Sequence, residues 1–512
     1  MEKSTCRDGG IQRRDLCGMT ISGSVSAVMS APFSVDSVSF RTRWMRTRFP
    51  FQYGIASMTE LPHVFGVAEG NLGGVPWRGL ASEGLPPKWF TKDPETRFEE
   101  DLPVMVESIR HAADLAANST HDSVFAVWHS LYEQQDGWAQ EKGCPPLLAH
   151  LGTALIERML IDGFCRGAGR SFPEAVRSNA LGIDLGRIHP ELAGTEPGDW
   201  LAAPGESIIA RHTVGLGDPL RAGDIPEAEC IGDGLPHALL DATRCYGLTH
   251  FKIKVCGNLE VDVPRLRDVA AVISEASPGF RYTLDGNEQY QDIATFRAHW
   301  DTYQADPELA VLFEDNRLLF VEQPLHRDVA LEEGVRDELA AWVGAPPMII
   351  DESDGELDCM RKAIALGYRG TSHKNCKGVI KGLANRCLIE WHRRHRPDDG
   401  PWLMSGEDLA NVGPVALLND LAAMSVFGIE DVERNGHHYF AGLSMFPREL
   451  QETICERHPD LYEMRPEGYA SLRIEGGTVS TRSLGEAPFG HGLDLTPRVL
   501  ELLGEEGLPA TT

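Results

Sequence analysis

Phe251-Lys252-Ile253-Lys254-Val255, Tyr282-Thr283-Leu284-Asp285, Leu319-Phe320-Val321-Glu322, Met348-Ile349-Ile350-Asp351 and Gly370-Thr371-Ser372-His373-Lys374 follow one pattern, a short strand-like run with a charged residue at or near its end. Runs of this length and texture read as buried strands, with helical segments between them. Three more belong to the series: Ile208–His212 before it, Trp402–Ser405 and Val432–Asn435 after it. Short strands alternating with helices predict an α/β fold with a parallel sheet, and eight such units favour a closed barrel over an open doubly-wound sheet. No GxGxxG follows an early strand, which argues against dinucleotide binding.

In a closed parallel barrel, reactive groups sit where strands end at the C-terminal face. Those ends supply Lys252 and Lys254 from the second strand, Asp285 from the third, Glu322 from the fourth, Asp351 from the fifth and Lys374 from the sixth. Each acid alone has a plainer reading. Asp285-Gly286-Asn287 makes a tight turn, Glu322 before Gln323-Pro324 a strand exit, and Asp351-Glu352-Ser353-Asp354 a helix-cap cluster. Placed together on adjacent strands, three carboxylates repel unless something neutralises them. Mg²⁺ suits such a set because it takes oxygen ligands and leaves positions for water or substrate; Mn²⁺ is the alternative. Lys252 and Lys254 share one face of their strand, because strand side chains alternate. With Phe251, Ile253 and Val255 packed against helices, both ammonium groups face the lumen. Burial and mutual repulsion then predict a lysine pKa lowered towards neutrality, as a base requires. Lys374, across the ring, would address the opposite face of a bound substrate.

Taken together, Lys252-Ile253-Lys254, Asp285-Gly286-Asn287, Val321-Glu322-Gln323-Pro324, Asp351-Glu352-Ser353 and His373-Lys374-Asn375 resemble the enolase superfamily, and within it the muconate-lactonizing (mandelate racemase/muconate lactonizing enzyme-like) subgroup. Ala154 to Asp162 resembles that family's helix running from the capping domain into the barrel. The resemblance covers roughly residues 35 to 450. It implies a (β/α)7β TIM-like barrel with an N-terminal α+β capping domain. It also implies Mg²⁺ on Asp285, Glu322 and Asp351, Lys254 and Lys374 as an acid/base pair, and Lys252 in an electrostatic role. The implied enzyme is an isomerase or lyase that removes the α-proton of a carboxylate through an enolate-type intermediate, as a racemase, epimerase or cycloisomerase. A β-eliminating dehydratase or synthase on the same site, a metal-dependent hydrolase and a non-catalytic metal-binding barrel are the alternatives. Two departures stand out. Lys377-Gly378-Val379 replaces the family's glycine pair, and the eighth strand lacks the Asp-x-Asp of dipeptide epimerases. Glu407, Asp408, Arg434 and Asn435, with His437 and His438, are candidate substrate contacts at the seventh and eighth strand ends.

The 512 residues suit two domains. The expected boundaries are an extension over 1–33, the capping domain over 34–205, the barrel over 206–446 and a C-terminal segment over 447–512 that packs back on the cap. Within the cap, Val35, Val38, Phe40 and Val64–Ala68 read as strands, and Leu102–Ala112 and Leu151–Ile161 as helices. Phe49–Met58 and Gly79–Phe90 read as loops whose aromatics close over the site. Residues 182–205 read as a polar linker. With 42% hydrophobic and 24% charged residues the chain is globular. Its net charge of −28 disfavours nucleic acid and anionic membranes, and no apolar run of 18 residues exists to span one. The resemblance implies a small-molecule carboxylate as the partner, with homo-oligomerisation compatible. Eleven scattered cysteines without a CxxC suit a reducing, cytoplasmic setting. Arg13-Arg14 ahead of the weakly apolar Cys17–Met29 keeps twin-arginine export as the alternative. Trp391–Arg396 reads as the solvated end of a barrel helix.

Overall fold

Two sheets organise the chain in this computed structural model, which describes residues 32–53 and 56–510. The export signal considered at Arg13–Met29 lies outside the described residues. The first sheet is antiparallel: β1 (Phe33–Tyr53), β2 (Ala56–Leu72) and β3 (Val75–Gly84) form a meander. β4 (Ser119–His121) and Glu505–Glu506 pair with the other edge of β1. The expected loops are more ordered than their composition suggested. In this stretch Phe51–Tyr53 at the end of β1 pairs with Ala56–Met58 at the start of β2, beyond a register shift between Arg46 and Phe51. Gly79–Phe90 is the end of β3 followed by the one-turn helix α1 (Pro87–Phe90). The arginine-rich run does not break β1, because its side chains find partners far along the chain. Arg43 donates to the carbonyls of Met445, Leu502 and Leu503, and Arg48 grips Asp233.

Three helices back this sheet: α2 (Phe98–Ala116), α3 (Val124–Lys142) and α4 (Pro146–Ala168). Every residue of α4 from Leu147 to Cys165 is buried. A helix that is apolar nearly all round must be covered on all sides, and α4 is wedged between sheet and barrel. The approach to β3 is so close that a Cβ on Gly79 would lie 1.9 Å from the Met159 carbonyl oxygen. The polar groups of α4 are matched one by one. Arg158 pairs with Glu83 at 2.6 Å, both fully buried. Asp162 accepts the Leu80 N–H at 2.9 Å. Glu157 accepts the Val379 N–H and so caps the barrel helix Val379–His395.

The second sheet contains the eight expected parallel strands: β5 (Ser207–Val214), β6 (His250–Lys254), β7 (Arg281–Asp285), β8 (Leu318–Glu322), β9 (Met348–Ile349), β10 (Gly370–His373), β11 (Leu403–Gly406) and β12 (Asp431–Arg434). β12 pairs with β5, and a parallel bridge between Ile350 and Thr371 joins β9 to β10, so the ring closes. A helix follows each of the first seven strands, giving the (β/α)7β pattern. The expected polar linker is three short 3-10 turns whose Leu185, Ile188 and Leu192 are buried. The C-terminal segment reaches the barrel as well as the cap, since Thr478–Ser480 pairs antiparallel with β5. Arg393 to Arg396 form the exposed end of their helix, and the nine described cysteines are free thiols.

Candidate active site

At the C-terminal mouth of the barrel the charged strand ends converge. Lys252 and Lys254 lie on the lumen side of β6, while Phe251 and Ile253 join the hydrophobic core. Lys252 Nζ donates to Glu322 Oε1 at 2.8 Å, Glu407 Oε2 at 2.7 Å and Glu433 Oε2 at 3.0 Å, and lies 3.1 Å from Asp285 Oδ2. Lys254 Nζ donates to Asp285 Oδ2 and Asn287 Oδ1, each at 3.0 Å. Across the ring, Lys374 Nζ donates to Asp351 Oδ2 at 2.5 Å and stands 4.0 Å from Glu322. Lys377 reaches Asp351 and Asp354 from below.

The expectation of a lysine lowered towards neutrality is not met at Lys252, and Lys374 is not lowered either. Burial does push both down, but the acids around them outweigh it. Asp285, Glu322, Glu407 and Glu433 hold Lys252 well above the usual lysine value, and Asp351 does the same for Lys374. The error lay in counting lysine against lysine and omitting the acids beneath them. The carboxylates divide in response. Burial, with Glu407 adding to it, raises Glu322 well above the ordinary range. Asp351 is held below that range despite its burial, chiefly by Lys374 and Lys377.

Turn geometry sets the three acids. Asn287 and Glu288, after β7, and Gln323, after β8, adopt positive φ of 44°, 62° and 33°. These are sparsely populated conformations for side-chain-bearing residues, and such strain concentrates at functional sites. Gly286 between them is required by space, since a Cβ there would meet Pro324 Cα at 2.6 Å. Gln323 Oε1 accepts the backbone N–H of Asp351 at 2.7 Å, tying the fourth strand end to the fifth.

A cavity opens above these groups. Its charged wall includes Lys252, Lys254, Asp285, Asp351, Glu352 and Lys374. The cap supplies the roof, with Phe51 and Met58 from the hairpin and Pro86 and Trp89 from α1 and the residue before it. The Trp89 ring centroid lies 5.0 Å from Lys374 Nζ, a cation–π contact. A salt-bridged latch holds the roof down. Arg327, on the loop after β8, donates to the carbonyls of Trp89 at 2.9 Å and Phe90 at 2.7 Å. The same guanidinium grips Glu288 at 2.7 and 2.8 Å, and Lys92 reaches Glu288 at 3.0 Å.

The seventh and eighth strand ends separate the four substrate candidates. Asp408 and Asn435 line the cavity. Glu407 lies beneath, bonded to Lys252 and Arg211, and Arg434 points away to Asp408 and Asp420. His438 stacks edge-on against Phe49 of the cap, and neither it nor His437 lines this cavity. Glu433, which does line it, was missed in the sequence. Alternation along β12 carried the signal, because Glu433 shares a face with Asn435 and Arg434 takes the other. Arg327 and Glu288 were also missed, and their pairing has no local signature.

For a divalent cation, the donor set is suitable. Asp285, Glu322 and Asp351 offer only hard oxygens, and buried Glu322 Oε2 has no hydrogen-bond partner. Among the described residues the three acids do not bring one oxygen each within 4.8 Å of one another. Lys252 spans the first two and Lys374 the last two, so an ion bound here would take over ammonium contacts.

No protein-family model and no curated protein matches this chain. Solved structures do. An enolase from Bradyrhizobium complexed with magnesium and mandelic acid superposes with a TM-score of 0.55 at 15% identity, over 94% of this chain and all of its own. A muconate lactonizing enzyme from Pseudomonas fluorescens complexed with muconolactone gives 0.55 at 16% identity, over 92% of this chain and 98% of its own. A mandelate racemase/muconate lactonizing protein from Herpetosiphon aurantiacus gives 0.53 at 16% identity, over 89% and 98%. The chain therefore has the capped-barrel fold of the mandelate racemase/muconate lactonizing proteins.

Proposed function

We propose that this protein is an enolase-superfamily enzyme, a Mg²⁺-dependent isomerase or lyase that removes the α-proton of a carboxylate substrate. The observation that carries the reading is the placement of Lys254 and Lys374. They stand on the second and sixth strands of an eight-strand ring, facing one cavity from opposite sides, with the three acids on the strands between. Asp285, Glu322 and Asp351 would hold the ion. When bound, the ion supplies positive charge where the substrate carboxylate gains negative charge on losing its α-proton. Lys254 Nζ takes or returns a proton on one face of the α-carbon, and Lys374 Nζ would serve the other once Asp351, turned to an ion, no longer holds it protonated. Lys252, fixed by four carboxylates, stays protonated and acts by charge. The roof over Lys374 excludes water.

Two lysines on two faces favour racemisation or epimerisation within this class; cycloisomerisation and β-elimination need only one as the essential base. The experiment is NMR of α-proton exchange in deuterated water across a carboxylate library with added Mg²⁺. Lys254→Ala should block turnover yet leave exchange of one stereoisomer, and Lys374→Ala should leave the other. Chelation should abolish both, and Mg²⁺ should restore them. Unimpaired exchange of both isomers in both variants would rule out the lysine pair.

A further inference from the structure

The ring order leaves one sector of the cavity for the rest of the substrate. The acids occupy the third to fifth strand ends and the exchanging lysines the second and sixth. Beyond a carboxylate held there, the substrate must lie against the seventh and eighth strand ends and the cap. Leu409, Ala410, Met58, Pro86 and Trp89 make that sector largely apolar. Its charged groups are already satisfied. Asp408 accepts the backbone N–H groups of Asn411 at 2.7 Å, Asn435 at 3.0 Å and Gly436 at 3.2 Å. Glu433 accepts from Thr213 at 2.7 Å and Lys252 at 3.0 Å. On the cap, Lys88 is bound to Asp101 and Thr96, each at 2.6 Å, and Lys92 to Glu288.

One polar atom in the sector stands apart. Asn435 is 2% exposed and lines the cavity, and its Oδ1 has no hydrogen-bond partner. Its Nδ2 donates to the Asp408 carbonyl at 3.4 Å, which leaves Oδ1 as the acceptor. The cavity's other unpartnered acceptor that is not a metal-site oxygen, Glu352 Oε2, follows Asp351 on the acidic side. A buried acceptor without a donor is costly, and a ligand that supplies the donor recovers that cost.

We propose that the substrate is a carboxylic acid whose remainder is apolar and uncharged and presents one hydrogen-bond donor, a hydroxyl or amide N–H, to Asn435 Oδ1. The proposal rests on the α-proton reading above and deepens it. In this sector a distal ammonium would find its carboxylates occupied, and a second anion would find its lysines occupied.

The test uses the full chain with Mg²⁺ and matched acids of one skeleton. These carry a distal hydroxyl or amide, no polar group, an ammonium, or a second carboxylate. Exchange of the α-proton should be fastest for the hydroxyl or amide acid, by roughly 10- to 100-fold in kcat/KM over the donor-free acid. Asn435→Leu should erase that preference, bringing the donor-bearing acid down to its donor-free analogue, and Asn435→Asp should retain part of it. Fastest exchange with the ammonium or dicarboxylate acid would overturn this inference and leave the α-proton chemistry standing. An Asn435→Leu enzyme that keeps the preference would also overturn it. No exchange with any acid would remove both readings together.

Discussion

Glu322 shows how much one carboxylate has to balance. Its carboxyl is raised first by burial and then by its acidic neighbours, touched by Lys252 on one oxygen and unpartnered on the other. Removing its charge takes away a proposed metal ligand but relieves repulsion in the protein. Glu322→Gln should therefore abolish Mg²⁺ binding measured by calorimetry while leaving the fold intact by circular dichroism. Unchanged Mg²⁺ affinity would sink its assignment as a ligand. The residues legible in the sequence were of this kind. A charge at the end of an apolar strand is conspicuous, so Lys252, Lys254, Asp285, Glu322, Asp351 and Lys374 could all be picked out; the structure brings five of them to the wall of one cavity, with Glu322 bonded to Lys252 beside it. The protonation of Lys252 was not legible, because it depends in part on Glu407 and Glu433, which lie more than 150 residues away.

At the scale of elements, the roof depends on barrel loops. The loops after β7 and β8 each carry a candidate metal ligand at their start and a latch residue a few positions on, Glu288 and Arg327. Cutting the latch should open α1 without unfolding the barrel. Arg327→Ala should lower kcat/KM roughly 10-fold, consistent with losing charge-assisted hydrogen bonds of about 1.5–3 kcal/mol each. It should also make Trp89 more accessible to a fluorescence quencher, with Trp89→Phe as the reference, and Arg327→Lys should recover part of the loss. Unaltered quenching in Arg327→Ala would show that the latch does not hold the roof. The strands of the barrel were readable because each is a short buried run. The extent of β1 was not, because its arginines look solvated until their partners arrive from the far end of the chain.

For the whole molecule, cap and barrel meet at Glu157. Burial raises its carboxyl to about 8, and it caps a barrel helix from within α4. A folded-state pKa raised above the usual 4.5 means that the folded protein binds this proton more tightly than the unfolded chain. Its contribution is full below about pH 4.5 and is lost as pH rises through 8. Glu157→Gln keeps an acceptor oxygen and cannot titrate. Relative to this variant, the native chain should lose stability between pH 4.5 and 8, by up to about 1.4 kcal/mol per pH unit. Urea unfolding of both proteins across that range measures the difference, and parallel curves would show that Glu157 does not titrate there.

The pairing of Arg41 with Glu506 joins residues 465 positions apart. In the order of synthesis β1 is made long before its covering edge. Until Glu505 and Glu506 are made, the described residues supply β4 at one end of that side of the first sheet and no strand partner along Arg41 and Thr42. The arginines on this stretch guard it in the meantime, since charged side chains discourage edge-to-edge association. That edge of the capping sheet is thus covered only once Glu505 and Glu506 are in place, and a nascent chain stalled short of Glu505 would carry an open edge that the folded protein does not have.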